Sequence, residues 1–99
     1  MLFVTTQPEA LAATAANLAG VGAMMSAQNA AAAAPTTGVF PAAADEVSVL
    51  AATQFAVHAQ MYQAISAQAE AIHQQFVSTL GTSATSYAAT EAANAIAAS

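Results

Sequence analysis

Apolar positions along this chain repeat at helical rather than strand spacing. Between Asp45 and Leu80, large residues recur at Phe55, His58, Tyr62, Ile65, Ile72 and Phe76, with Ala69 in the single gap. The steps alternate between three and four residues, a heptad seam that keeps one stripe of a long helix against a packed neighbour. A second stripe of Val47, Leu50, Val57 and Met61 lies beside it. A helix with two apolar stripes touches two neighbours. Upstream, Leu11, Ala15, Leu18, Gly22, Met25, Asn29 and Ala32 form another seam of the same period but of smaller residues.

The punctuation divides these seams into elements. Thr6-Gln7-Pro8-Glu9 reads as a helix start. Thr6 caps the free amides, Glu9 completes a capping box, and Pro8 sits in the first turn, where its missing N–H costs nothing. The first helix is expected at about 7–33. Gly20 and Gly22 cost about 1 kcal/mol each against alanine, so they favour close approach of a second helix, with tolerated exposure as the alternative. Pro35 ends this helix by pushing its predecessor out of the α region. The connector, 34–41, is short enough to imply an antiparallel hairpin. Phe40 plugs that end of the hairpin or serves as a docking ring. The second helix is expected at about 42–80, with Asp45 and Glu46 at its positive end and Gly81 as its stop.

Residues 1–81 thus read as an all-α, antiparallel two-helix hairpin, followed by a small, polar, alanine-rich tail at 82–99. Helix two spans roughly 58 Å and helix one roughly 40 Å at the standard rise. Helix two therefore overhangs its partner by several turns, carrying Ile72, Phe76, Val77 and Leu80, with Phe3 and Val4 covering part of the excess. In the tail, Ser83 or Ser86 caps a further short helix, or the segment is disordered when unpaired.

Composition changes this picture by showing that the hairpin is short of core. The 99 residues are 58% hydrophobic but only 6% aromatic and 5% charged, because alanine dominates. Alanine makes helix easily and buries little area. Ordering costs roughly 1.5 kcal/mol per residue, while burial returns only about 25 cal/mol per Å². A partner that completes a four-helix or larger bundle resolves the deficit, and so does a homodimer of hairpins.

Charge and residue inventory exclude most chemistry. With Lys+Arg at 0 and a net charge of -5, nothing neutralises phosphates, so nucleic acid and anionic membrane surfaces are not expected partners. Cysteine is absent, no Sec signal peptide is visible, and no run of about 18 apolar residues suggests a transmembrane helix. His58 and His73 stand about 22 Å apart on one helix and cannot share a metal. His58 reads as a packed interface residue, and His73 as a surface pair with Glu70. No nucleophile elbow or phosphate loop is present, and Met24, Met25 and Met61 read as adaptable packing. No catalytic residue, metal or cofactor is assigned, and an enzyme is not expected. Tyr87 and Glu91, four apart, share a helix face. They form either a readable tag or a chance pair.

The chain resembles the mycobacterial PE family over essentially its whole length. Pro8-Glu9 is the dipeptide that names the family, within Phe3-Val-Thr-Thr-Gln-Pro-Glu-Ala-Leu11. The connector Pro35-Thr-Thr-Gly-Val-Phe-Pro-Ala-Ala-Ala-Asp-Glu-Val-Ser48, Ser66-Ala-Gln, Ile72-His73 and Ser86-Tyr-Ala-Ala-Thr-Glu-Ala-Ala-Asn94 also match. The resemblance implies a helical hairpin that pairs with a PPE family protein in an elongated bundle exported by a type VII secretion system. It implies that Tyr87 and Glu91 are part of the export signal, and that EspG chaperones act indirectly, through the PPE partner. Many family members continue into long extensions, whereas this sequence stops at Ser99 and looks like a PE domain alone.

On this reading the chain is cytoplasmic before export. It is then secreted or held at the cell surface or envelope, with a host-interaction or cell-surface role and membrane association only after export. The expected interface, toward partner or within the hairpin, is Leu11, Leu18, Met25, Phe55, Val57, Met61, Tyr62, Ile65, Ile72 and Phe76. Alternatives are a subunit of an outer-membrane nutrient-permeability complex with PPE, or a homo-oligomeric helical scaffold.

Overall fold

The structure, a computed structural model, describes residues 4–99. Phe3, expected to cover part of helix two, lies outside the described residues. Two helices account for nearly all of the rest, α1 at Pro8–Thr37 and α2 at Glu46–Ala98, with no strand among the described residues. The all-α expectation holds, and both helices are longer than expected. The chain divides into two compact units. One comprises Met1–Val21 and His73–Ser99, and the other Gly22–Ile72.

Helix α1 starts at Pro8, as the first-turn proline suggests, but its cap is Gln7 rather than Thr6. The Gln7 carbonyl accepts from Ala10 N–H at 3.0 Å and from Leu11 N–H at 3.2 Å. Pro35 does not end the helix. Its missing N–H leaves the carbonyl four residues earlier, at Ala31, without a donor, but Ala31 is exposed and water can serve it. The following carbonyls are taken locally. Thr36 Oγ1 donates to Ala32, Thr37 Oγ1 donates to Ala33 at 2.7 Å, and Gly38 N–H donates to Ala34 at 3.0 Å.

Helix α2 is capped by Asp45, whose carboxylate accepts the Ser48 N–H at 2.9 Å and the Ser48 hydroxyl at 3.0 Å. These bonds, the backbone one first, hold the Asp45 carboxyl below its usual value of 3.8. The helix then runs straight through Gly81, where a stop was expected. A glycine stop needs a left-handed residue, and no described glycine takes positive φ. The expected tail is therefore the last turns of α2. Thr14, Thr53, Thr79 and Thr85 each return their hydroxyl to the carbonyl four residues back, which lets threonine sit inside these helices.

In the unit Gly22–Ile72 the two helices pack antiparallel through a seam of small and polar residues. Ala52 and Ala59 are buried. Ser48, Ala56, Gln63, Ser66 and Glu70 are half-buried on α2, facing Gly22, Ser26, Asn29, Ala33 and Thr37 on α1. Asn29 is the polar knot of this unit. Its side-chain oxygen accepts from the Tyr62 hydroxyl at 2.8 Å, and its backbone carbonyl accepts from Gln63 Nε2 at 3.0 Å.

The unit containing the chain termini repeats the pattern. Ala15 and Ala84 are buried, with Leu11, Leu18, His73, Val77 and Leu80 half-buried. His73 Nε2 meets the Leu18 carbonyl at 2.6 Å. A carbonyl only accepts, so the ring nitrogen donates. His73 is thus a contact between helices rather than a surface partner of Glu70. The same contact moves the overhang along α2: the stretch around Val77 and Leu80 lies beside α1, and the turns past Ala84 are the ones that run beyond its start. Helix α1 runs further toward the connector, and half-burial on α2 begins only at Ser48, so every pairing is displaced toward the α2 C-terminus.

The four buried residues among those described are all alanines. Two helices meet along a line, so large side chains between them would push the axes apart without being enclosed. Alanine lets the backbones approach. Met25 is displaced from the expected α1 seam by Ser26, and Gly20 has nothing within 4 Å of where a Cβ would stand. Gly20 is therefore not a close-approach position within this chain. Phe40 is 90% exposed and plugs nothing in this chain.

Candidate functional site

The large apolar residues that do not enter the seam flank it on α2, about 100° round the helix. Phe55, Val57, Met61, Tyr62, Ile65 and Ile72 in one unit, and Phe76 in the other, are between 46% and 66% exposed. Val47 and Leu50 are more than half exposed, and on α1 so are Met24 and Met25. The heptad arithmetic that produced this stripe is sound, but apart from the Tyr62 hydroxyl on Asn29 the stripe is left exposed rather than packed on α1. The inner seam has the same period, offset by about one residue: Ala52, Ala56, Ala59, Gln63, Ser66, Glu70, His73, Val77, Leu80 and Ala84. Of the ten expected interface positions, only Leu11 and Leu18 are half-buried within the chain. His58, expected to be packed, is exposed. Monomers expose single apolar residues freely, but in the unit Gly22–Ile72 six large ones, from Phe55 to Ile72, lie exposed along α2.

A second candidate lies near the α2 C-terminus. Tyr87 and Glu91 sit on consecutive turns of the helix. The Tyr87 ring is 47% exposed. Glu91 is half-buried, and its Oε1 accepts from both Thr6 N–H at 3.1 Å and Thr6 Oγ1 at 3.0 Å. Thr6 is the participant that the sequence reading assigned elsewhere. The signal was available. Pro8 at the first helical position makes Gln7 the cap and leaves Thr6 one place too early. Pro8 is half-buried and Glu9 is exposed in the first turn of α1.

The described residues hold no group of three or more His, Cys, Asp or Glu side chains that could bind a metal. His73 is engaged with a backbone carbonyl and His58 stands alone on the outer side. Helix α1 is, by length and composition, apolar enough to cross a membrane. This differs from the expectation, which required an unbroken apolar run. Alanine spread through the helix reaches the same average around its interspersed polar residues.

Comparison with known proteins bears on the whole chain. The model of the PE family matches residues 4–94. PE family protein PE13 of Mycobacterium tuberculosis is 66% identical over 99 residues, covering 100% of both chains. PE family protein PE8 of the same organism is 55% identical over 98 residues, which is 99% of this chain and 36% of that protein. PE-PGRS family protein PE_PGRS33, also from Mycobacterium tuberculosis, is 60% identical over 95 residues, or 96% of this chain and 20% of its own length.

Proposed function

This chain belongs to the PE family, and from that membership we propose that it is a non-catalytic protein that pairs with a PPE family protein and carries an export signal for type VII secretion. The two helices present their outer faces to helices of the PPE chain, and the pair forms a helical bundle. Tyr87 and Glu91 form the signal, with EspG chaperones engaging the PPE chain. The protein acts outside the cell, at the surface or toward the host.

The observation that carries this reading is the outer face of α2. A large apolar side chain contributes about 1.5–3 kcal/mol on full burial, and the row from Phe55 to Phe76 is left mostly in water.

Expression alone and together with a PPE chain tests the pairing. Alone, the protein should aggregate or melt without cooperativity. With PPE it should elute as a stoichiometric complex with a single sharp melting transition. A soluble monomer that melts cooperatively by itself would sink the reading, and a stable homodimer in analytical ultracentrifugation would replace it with a self-assembling scaffold. The apolar length of α1 favours a second role after export, as a subunit of an outer-membrane permeability complex with PPE. Partitioning of the purified pair into liposomes tests that role.

A further inference from the structure

The export reading gives Tyr87 and Glu91 a role but leaves unexplained how a terminal stretch of one helix holds them in a fixed relation. Helix α1 begins at Pro8, and the last buried position on α2 is Ala84. From 92 onward every residue of α2 is exposed. Alanine-rich helix without a packed neighbour is marginal in water over this length. The turn that carries Tyr87 and Glu91 therefore needs something beyond α1 to hold it.

We propose that residues 4–7, just before α1, are a strap for this turn, with Thr6 as its positioning residue. Thr6 places its amide and its hydroxyl on the same Glu91 oxygen, at 3.1 Å and 3.0 Å. The two residues are separated by 85 positions in sequence. Pro8 follows two residues later and starts α1, so the strap hangs from a rigid anchor. A carboxylate that accepts two hydrogen bonds from one residue is held in position more firmly than one that accepts a single bond. With Glu91 held, the helical turn back to Tyr87 is held too, and the Tyr87 ring stays outward. Glu91 then has two tasks, anchoring through Oε1 while Oε2 remains for a reader. This proposal rests on the export reading for its purpose, but its geometry can be tested separately.

The experiment uses the purified PE–PPE complex and hydrogen exchange of the amides from Ala84 to Ala95. Thr6→Val removes the hydroxyl donor, Glu91→Ala removes the acceptor, and Glu91→Gln keeps an acceptor oxygen without the charge. Exchange over this stretch should rise about tenfold in Glu91→Ala and severalfold in Thr6→Val. It should stay near the wild-type rate in Glu91→Gln, and the amides around Ala52 and Ala59 should not change in any variant. Exchange in Thr6→Val and Glu91→Ala indistinguishable from wild type overturns the strap. Export from cells adds the second readout. Tyr87→Ala should abolish secretion, and Thr6→Val should reduce it without loss of pairing. Normal export of Tyr87→Ala removes the signal reading and leaves the exchange result to judge the strap. Lost export in Tyr87→Ala with full export in a Thr6→Val protein of raised exchange shows that the strap does not serve the signal.

Discussion

Helix α2 carries two faces of the same heptad period and opposite chemistry. The inner one, through Ala52, Ala59 and Ala84, is alanine with Ser48, Gln63, Ser66, Glu70 and His73 interspersed, and it lies against α1. The outer one, through Phe55, Tyr62, Ile65, Ile72 and Phe76, holds most of the large apolar area and stays exposed. In a self-sufficient domain the large face would be inside. Here the small face closes the chain on itself, and specific polar contacts fix its register, because alanine alone does not distinguish one alignment from the next. Asn29 with Tyr62 and Gln63 in one unit, and Leu18 with His73 in the other, supply that discrimination. On the function proposed above, the exposed large face is what a second chain would bury.

The largest expected effect comes from charging the outer face. Ile65→Asp should leave the helical content of the chain unchanged but weaken assembly with PPE by at least about a hundredfold, since an unpaired carboxylate in a packed interface costs roughly 3 kcal/mol or more. Titration calorimetry, or co-purification at falling concentration, reads this out. Undiminished assembly would mean that the outer face is not the interface, and the contrast between the faces would lose its functional meaning.

A smaller effect of the opposite location follows from overpacking the inner face. Ala59→Leu inserts a branched side chain where the residue is 8% exposed. It should lower stability by about 1–3 kcal/mol by forcing the helices apart. The matched change on the outer side, Phe55→Ala, leaves the seam intact and should act only through the complex. The helical content of the chain alone and the melting of the complex with PPE separate the two. The seam change lowers both, and the outer change lowers only the melting of the complex.

The contrast also shows what a sequence of this kind reveals. Two helices, their antiparallel pairing and the seam Leu11, Ala15, Leu18 and Gly22 were legible, because the period of small residues on α1 allows few alternatives. The stripe on α2 was legible as a stripe, but its facing was not. Periodicity finds a face and says nothing of which chain covers it. Pro35 and Gly81 misled for a related reason. Both are breakers in isolation, and both are overridden where hydroxyl donors or an alanine-rich continuation keep the helix satisfied. Thr6 and Glu91 were each legible as polar residues near an end, but their contact depends on the course of the chain before Pro8.

The smallest effect concerns where the two faces of α2 begin. Asp45 grips Ser48, the first half-buried residue of the inner seam, while Val47 and Leu50 on either side remain exposed. Because hydrogen bonds from Ser48 lower the Asp45 pKa, folding favours the ionised form. Its contribution is fully present above the usual value of 3.8 and is lost as the pH falls through the lower folded-state value. Below that window the first turn of α2 should fray from the seam side. Exchange at the Ser48 amide should accelerate, while the amides around Ala59 stay protected. Asp45→Asn keeps an oxygen for the Ser48 N–H but does not titrate, so its Ser48 protection should be independent of pH across the same window. If the wild-type Ser48 amide proved equally insensitive, the cap would owe nothing to the charge. Fixing the seam's first position would then fall to the small residues themselves.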